Sequence, residues 1–173
     1  MGAHKPLMPF LGCKLIDAVI ARVLPQVGKL AIDVLRTMAE AYPYPNVLPD
    51  LYDEQLGPLC GIVTGLEWLD GEWLATFPCD TPFLPRDLVA QLAAHRLLVI
   101  VGGMPVCGLW PKSSLAELKK HVGKSVREAL KALGGVEVEI EAPADAFFNV
   151  NSPEELEEAV LLSSQTDEGS HRP

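Results

Sequence analysis

The sequence has little positive charge and no long hydrophobic run. Its 14 lysines and arginines stand against 23 aspartates and glutamates, which gives a net charge of −9. A nucleic-acid-binding protein needs a basic face that neutralises phosphates, so this class is excluded, whereas a single nucleotide needs only a few placed groups. Proline, glycine or charge interrupts each apolar run before the roughly 18 residues that a membrane span requires. Because the N-terminus also lacks a signal-peptide pattern, we expect a cytoplasmic protein without a membrane partner.

Cysteines are few, and their spacing excludes two kinds of structural site. The four are Cys13, Cys60, Cys79 and Cys107. They form no C-x-x-C pair and have no histidine at ligand spacing, which excludes a disulfide scaffold and a zinc site. We expect four reduced thiols.

Three common ligand-binding motifs are also missing. The chain contains no G-x-G-x-x-G, no G-x-x-x-x-G-K-[ST] and no G-x-S-x-G. The dinucleotide-binding, P-loop and esterase interpretations therefore lose their main support.

What the sequence does contain is an alternation of short apolar strands with amphipathic helices. Apolar residues make up 49% of the chain, enough for a globular core. Strands are predicted at 29–36, 46–50, 72–78 and 97–101, and helices at 13–24, 57–69 and 85–96. This alternation favours an α/β fold with a mainly parallel sheet that is covered on both faces. We expect one domain over residues 1–163 and a disordered tail over 164–173.

The second half of the chain carries clear turn and cap signals. The glycine pair Gly102–Gly103 predicts a hairpin over 97–110. Two helices should follow at 113–122 and 125–133, each opened by a serine cap. The strict alternation of VEVEIE predicts a half-exposed edge strand at 136–141. Ser152 and Glu155, with Pro153 between them, form the pattern of a capping box at the start of a last helix.

The stretch WLATFPCDTPFLP, residues 73–85, directs a strand toward Asp80, and Pro82 and Pro85 restrict the turn that follows. Ligands of open α/β sheets bind beyond the carboxyl ends of the strands. A carboxylate at such a position suits Mg²⁺, which takes one or two carboxylates and completes its shell with phosphate oxygens and water. Asp80 fits the cap of a turn or helix equally well, so the residues alone leave both interpretations open.

Four other polar residues are candidates for a site. Asp50 also follows a predicted strand, but Pro-Asp is a common turn pair, which favours a structural role. Lys5 adjoins an apolar segment and could contact a phosphate as a point charge, although most lysines in such positions are solvated. Asn149 and Asn151 precede the last helix, where asparagine either binds a polar ligand or forms turns and caps.

Six segments, spread over nearly the whole chain, form a recognisable set. They are MGAHKPLMPF at the start, LPD (48–50), GPLCG (57–61), FPCDTPFLP (77–85), PVCGLWP (105–111) and FFNVNSPEEL (147–156). In this order they resemble the segments of molybdenum cofactor guanylyltransferases. PCDTPFLP is the most specific of them and the NVN-[ST]-P-E-[ED]-L pattern the second, and together they separate this group from the cytidylyltransferases of the same fold.

The resemblance implies a Rossmann-like nucleotidyltransferase fold with three layers. It also implies an enzyme that joins GMP from GTP to molybdopterin carrying molybdenum, releases pyrophosphate and uses Mg²⁺ as its cofactor. Besides GTP and molybdopterin, its partners would be other proteins of molybdenum cofactor biosynthesis or acceptor proteins.

The same resemblance implies roles for single residues. Asp80 corresponds to the magnesium ligand that bridges the metal and the GTP phosphates, and Lys5 to the phosphate-contacting lysine of the M-G-x-x-K segment. Asp50 corresponds to the aspartate near the guanine nucleotide. Asn149 and Asn151 correspond to the asparagines near the molybdopterin. In this reaction the terminal phosphate of the pterin attacks the α-phosphorus of GTP, and the protein mainly positions and neutralises.

Two features depart from the family pattern. Many members have asparagine where this chain has Asp33, which accepts a hydrogen bond but does not donate one, and this bears on the nucleotide contacts. The family also opens with a strand and a glycine-rich loop, L-A-G-G-x-S-x-R-M-G, and this sequence begins at the final M-G. We therefore expect weak or no transfer from the chain as written, and rescue by about 15 to 20 upstream residues.

Two other functions remain open at this point. One is an accessory or binding protein that keeps the fold but no longer transfers a nucleotide, which Mg²⁺-dependent GTP binding would separate from the enzyme. The other is a sister nucleotidyltransferase that uses CTP or another NTP, which competition among GTP, CTP and ATP would reveal.

Overall fold

A computed structural model of the chain describes residues 5–52 and 56–169. In chain order its strands and longer helices are β1 (Pro9–Phe10), β2 (Cys13–Lys14), α1 (Leu15–Val23), β3 (Ile32–Val34), β4 (Val47–Pro49), α2 (Leu59–Trp68), β5 (Trp73–Thr76), α3 (Leu88–Ala93), β6 (Val99–Val101), β7 (Met104–Pro111), α4 (Leu115–Leu118), α5 (Val126–Ala132), β8 (Val136–Val138) and α6 (Pro153–Gly169). Each of the predicted strands and helices forms, most of them with tighter bounds. Among the helices described, none has both the length and the apolar composition needed to cross a membrane.

The chain divides into two compact units, each assembled from segments that are not continuous in sequence. The terminal unit combines Met1–Gln26, Pro78–Leu88 and Glu141–Pro173. The central unit combines Val27–Phe77 and Val89–Ile140. The single domain predicted over residues 1–163 stays a prediction.

The central unit contains two sheets, one of two strands and one of four. β3 and β4 pair in parallel, with Asp33 opposite Leu48. The four-stranded sheet has the order β5–β7–β6–β8, in which β7 is antiparallel to both of its neighbours and β6 is parallel to β8. The sheet is therefore mixed, because the two-residue turn at Gly102–Gly103 can only join antiparallel strands. β8 lies at the edge and is partly exposed, as its alternating sequence predicts.

Helix α2 provides one side of the core of the central unit. The buried core residues are Leu59, Ile62, Val63, Leu66, Leu98, Ile100, Trp110, Leu118, Val126, Ala129 and Leu130. The indole of Trp110 is fully buried, and its Nε1 donates to Thr76 Oγ1 at 2.9 Å, so its one polar group has a partner.

The terminal unit has a smaller core of its own. Phe10, Leu15, Val150 and Ala159 are buried there, and Phe83 packs against them from the proline-rich turn. The rings of Phe10 and Phe83 meet edge to face, with centroids 6.3 Å apart. Through this contact the segment after Asp80 is held against the strand that follows Lys5.

Two local features differ from their predicted form. The helix predicted at 85–96 covers only Leu88–Ala93, because a turn from Pro85 precedes it and Arg96 takes a positive φ of 54° after it. Ser114 does not cap α4, since its hydroxyl donates to Pro111 O at 2.7 Å. Helix α6 is described to Gly169, and the disordered tail over 164–173 stays a prediction. The last four residues of that tail lie outside the described residues.

Candidate active site

Lys5, Asp80 and Asn151 form a side-chain cluster in the terminal unit, called here the Lys5 cluster. The Lys5 ammonium donates to Asp80 Oδ2 at 2.5 Å and to Asn151 Oδ1 at 3.0 Å. These partners lie 75 and 146 residues further along the chain. The Lys5 and Asp80 side chains are only 17% and 15% exposed, so their ion pair is shielded from water on most sides.

The backbone around each member of the cluster is restrained. Lys5 begins a short 3-10 turn in which Pro6 is buried and Met8 N donates to Lys5 O. Asp80 precedes the fully buried Thr81. Val150 N donates to Asp80 O at 2.9 Å, which joins the segment of Asp80 to the loop of Asn151 through the main chain.

The predicted capping box of α6 is confirmed, and it extends one residue further than the pattern indicates. Glu155 N donates to Ser152 Oγ at 3.1 Å, and Ser152 N donates to Glu155 Oε2 at 2.9 Å. Asn151 N donates to the same Glu155 Oε2 at 2.6 Å. The carboxylate of Glu155 thus restrains the backbone of a member of the Lys5 cluster.

Two buried polar atoms beside the cluster lack a hydrogen-bond partner in the described part of the chain. They are Thr81 Oγ1, in the residue after Asp80, and Asn149 Oδ1, two residues before Asn151. A buried polar atom is nearly always paired, because leaving it unpaired costs about 1 to 3 kcal/mol. These atoms are therefore suited to a water molecule or to a polar ligand.

The donor set around Asp80 fits a hard cation. Carboxylate and hydroxyl oxygens are the ligands that Mg²⁺ prefers, and Lys5 engages only one of the two oxygens of Asp80. No group of three or more His, Cys, Asp or Glu side chains that could hold a metal occurs within residues 5–52 and 56–169. A cation at Asp80 would therefore need further ligands from a substrate phosphate or from water.

Asp33 and Asp50 form a second polar feature, in the central unit. The parallel pairing of β3 and β4 brings the ends of both strands together, and Asp50 N donates to Val34 O at 2.8 Å. Asp50 is buried, and its Oδ1 accepts a hydrogen bond from Thr64 Oγ1 on α2 at 3.1 Å. Sequence reasoning missed Thr64, because a threonine inside a helical apolar stripe gives no signal of such a role.

Burial and the nearby charge of Asp50 raise the pKa of Asp33 from 3.8 to about 7. Asp33 as a residue is exposed, but its carboxyl lies so close to α2 that a Cβ on Gly61 would meet Asp33 Oδ2 at 2.6 Å. Water therefore solvates this carboxyl poorly on the side of the helix. The GPLCG segment needs a small residue at Gly61 for this approach.

The structure thus brings the predicted residues together in two groups. Lys5, Asp80 and Asn151 are bonded to one another, and Asn149 lies next to them in the chain without a bond to them. Asp33 and Asp50 meet in the central unit. The side chain of Asp80 accepts from Lys5, and both interpretations of Asp80, as a metal ligand or as a turn cap, stay predictions.

Comparison with known proteins finds relatives over most of the chain. The family model of the MobA-like NTP transferase domain matches residues 1–138. The chain is 34% identical over 188 residues to the molybdenum cofactor guanylyltransferase of Rhodopseudomonas palustris (strain BisB5), with 94% of this chain and 87% of that protein covered. It is 30% identical over 168 residues to the molybdenum cofactor guanylyltransferase of Photobacterium profundum, with 91% and 87% covered.

Solved structures share the fold. The molybdopterin-guanine dinucleotide biosynthesis protein A of Archaeoglobus fulgidus superposes with a TM-score of 0.75 at 20% identity, over 93% of this chain and 91% of that one. The 2-C-methyl-D-erythritol 4-phosphate cytidylyltransferase of Thermus thermophilus superposes with a TM-score of 0.71 at 17% identity, over 94% and 95%. These confirm the predicted Rossmann-like α/β fold, and with the sequence matches they establish that the chain belongs to the MobA-like NTP transferases, a family of nucleotidyltransferase enzymes.

Proposed function

We propose that this protein transfers GMP from GTP to molybdopterin carrying molybdenum and releases pyrophosphate. Its relatives from R. palustris and P. profundum carry the name of this guanylyltransferase activity. The observation that carries the proposal to this chain is the Lys5 cluster. In it, the lysine, the carboxylate and the amide that the resemblance assigns to the substrates meet within hydrogen-bonding distance.

Asp80 is the residue that would hold Mg²⁺. Its carboxylate is a hard ligand, and one of its oxygens is not engaged by Lys5. When bound, Mg²⁺ would neutralise charge on the phosphates of the nucleotide. Within the protein itself, Lys5 balances the charge of Asp80, and with a nucleotide bound the same ammonium group would contact a phosphate oxygen.

The transfer needs positioning and charge neutralisation more than a protein nucleophile. An oxygen of the terminal phosphate of molybdopterin forms a bond to the α-phosphorus of GTP. The bond from this phosphorus to the bridging oxygen breaks, and pyrophosphate leaves with the electron pair. Lys5 donates to phosphate oxygens on which negative charge increases, and it is already oriented for this by Asp80 and Asn151.

Asn149 and Asn151 are the residues that we assign to the molybdopterin side. Asn149 Oδ1 is buried and unpartnered within the described chain, so it favours a ligand that donates a hydrogen bond. The pterin ring carries N–H and amino donors that meet this requirement.

Asp33 and Asp50 are the residues that we assign to the nucleotide. The edge of guanine presents N–H and amino donors, which suit an ionised carboxylate. Because the pKa of Asp33 is raised to about 7, its carboxyl is protonated part of the time near neutral pH and then donates as well as accepts. In that form it offers the same hydrogen bonds as the asparagine of other family members.

The test is calorimetric titration of the full chain with GTP in the presence and absence of Mg²⁺. Asp80→Asn should weaken Mg²⁺-dependent binding by about 100-fold or more, since it removes the charge that holds the ion. Asp70→Asn is the matched control, because Asp70 also forms an ion pair, to Lys29 at 2.6 Å, but an exposed one. Asp70→Asn should bind as the unchanged protein does.

Two results would contradict the proposal. Equal binding of Mg²⁺·GTP by Asp80→Asn and the unchanged protein would remove Asp80 from the site. Displacement of GTP by CTP or ATP at equal concentration would contradict guanine selectivity.

A further inference from the structure

We propose that Glu155 is a positioning residue of the Lys5 cluster, acting through Asn151 on the direction of the Lys5 ammonium group. No hydrogen bond or ion pair joins Glu155 to Lys5 or Asp80 in the described chain, and none of the roles assigned above includes Glu155. The proposal rests on the proposed function for its catalytic consequence, but its structural part can be tested without transfer.

The argument begins with the exposure of Asn151. This residue lies in the loop before α6 and is exposed, so water would compete for its side chain and several rotamers would be open to it. Its Oδ1 nevertheless accepts from Lys5 at 3.0 Å. A backbone that is already fixed lowers the entropy that such an exposed amide loses when it holds this bond.

Glu155 supplies this restraint. Its Oε2 accepts from Asn151 N at 2.6 Å and from Ser152 N at 2.9 Å. Two neighbouring N–H groups on a single oxygen restrict the backbone torsions between them. Glu155 is itself fixed, because it lies in the first turn of the 17-residue helix α6 and its own N–H is bonded to Ser152 Oγ.

A second hydrogen bond joins the same loop to the main chain of Asp80. Val150 N donates to Asp80 O at 2.9 Å, so residues 150 and 151 contact both members of the ion pair. One of these contacts is to the main chain of Asp80 and the other is to the side chain of Lys5. A shift of the loop would therefore change the position of the ammonium group relative to the carboxylate.

The capping box of helix α5 shows that this arrangement exceeds what capping requires. In helix α5, Glu128 Oε2 accepts from Ser125 N at 2.9 Å and from Ser125 Oγ at 2.7 Å, so both donors belong to the cap residue. In α6 the carboxylate instead receives the N–H of Asn151, the residue before the cap. Glu155 thus restrains a residue that bonds Lys5, whereas Glu128 restrains only its own helix end.

This difference supplies matched variants. Glu155→Ala and Glu128→Ala each remove a capping carboxylate, and we expect similar losses of stability from them. Glu155→Gln keeps an acceptor oxygen at the same distance, and glutamine also serves in capping boxes. A merely structural role would make both alanine variants behave alike.

The first measurement is the NMR chemical shift of the Asn151 side-chain amide in the full chain without substrate. Lys5→Met removes the ammonium group, so it should shift this signal in the unchanged protein, in Glu128→Ala and in Glu155→Gln. In Glu155→Ala the Lys5→Met shift should be largely lost, because Asn151 no longer faces Lys5. An undiminished shift in Glu155→Ala would overturn the proposal.

The second measurement is the kinetics of GMP transfer with GTP and Mg²⁺. Glu155→Ala should lower kcat/KM by about 10- to 100-fold, mainly through kcat, as expected for misdirection of a catalytic group. Glu155→Gln should restore most of the loss, and Glu128→Ala should transfer as the unchanged protein does. Equal kinetics of Glu155→Ala and Glu128→Ala would also overturn the proposal. If the unchanged protein does not bind Mg²⁺·GTP, the proposed function fails. The NMR measurement decides the role of Glu155 in that case, and also when transfer is too weak to measure.

Discussion

At the scale of single residues, the charge state of each candidate site residue depends on the charged and polar groups next to it. Lys5 is placed between the carboxylate of Asp80 and the amide oxygen of Asn151, so its charge is balanced on one side and directed by a neutral acceptor on the other. Asp33 has the opposite environment, because desolvation and the charge of Asp50 both act against its ionised form. The carboxylate of Asp80 is thus held beside the Lys5 ammonium group. The carboxyl of Asp33, in contrast, is partly protonated near neutral pH.

The raised pKa of Asp33 predicts how stability changes with pH. Its pKa is about 7 in the folded chain against an ordinary value of 3.8, so between these values the folded state binds a proton that the unfolded state has released. The free energy of unfolding should therefore fall as the pH rises from about 4 to 7. Asp33→Asn removes this pH-dependent fall in the free energy of unfolding, so the variant should be more stable than the unchanged protein at pH 8. The difference should be on the order of 1 kcal/mol, because water screens the exposed residue.

Urea unfolding at pH 4 and at pH 8 checks this prediction. Asp70→Asn is a control of opposite sign, because Lys29 lowers the pKa of Asp70 and the substitution should destabilise only above the pKa of the carboxyl. Parallel pH curves for Asp33→Asn and the unchanged protein would show that Asp33 titrates normally.

At the scale of elements, short strands and a helix start determine where the two aspartates of the central unit lie. The parallel register of β3 and β4 aligns their carboxyl ends. Helix α2 begins at Leu59, directly after Gly57–Pro58, and presents Gly61 to Asp33 in its first turn. The close approach of the Asp33 carboxyl to α2 contributes to the burial that raises its pKa, and the charge of Asp50 raises it further.

Gly61→Ala should therefore lower stability and nucleotide binding only when Asp33 is present. A Cβ at this position would lie 2.6 Å from Asp33 Oδ2, so the carboxyl must move and Mg²⁺·GTP binding should weaken, with a loss of about 1 kcal/mol in stability. In an Asp33→Ala background the obstacle is gone, and alanine should stabilise the helix by up to about 1 kcal/mol relative to glycine.

A double-mutant cycle of urea unfolding measures this dependence. A coupling near zero between Gly61→Ala and Asp33→Ala would mean that the two side chains do not meet in solution.

At the scale of the whole molecule, the terminal unit is assembled from three segments that are distant in sequence. In the terminal unit, Val150 is fully buried in a core with Phe10, Leu15 and Ala159, and its N–H is bonded to Asp80 O. The same residue therefore contributes to the core and to the loop that carries Asn151. Stability and geometry of the site should be coupled through it.

Val150→Ala tests this coupling. Removal of two buried methyl groups should lower the free energy of unfolding by about 1 to 3 kcal/mol, and the shifted loop should also weaken Mg²⁺·GTP binding severalfold. Val126→Ala, which removes the same atoms from the core of the central unit, should cost similar stability. Calorimetric binding that is equally affected in both variants would contradict a specific link between Val150 and the Lys5 cluster.

The sequence by itself determined the features that depend on neighbours along the chain. Hydrophobic periodicity and turn residues predicted the strands, the hairpin at Gly102–Gly103 and the capping box of α6, because hydrogen bonds within a turn or a cap span only a few residues. The ordered motifs, above all PCDTPFLP, indicated the family before any contact was known. Short-range signals failed for Ser114, whose hydroxyl turns back to Pro111 instead of capping the helix.

Only the tertiary structure decided which of the candidate residues meet. The bonds from Lys5 to partners 75 and 146 residues away depend on how the segments of the terminal unit pack, and no local pattern encodes such a distance. The same holds for the pKa of Asp33, which reflects a helix and a second strand folded against it. Packing also places Asn151, whose N–H donates to the capping carboxylate of Glu155, beside Lys5.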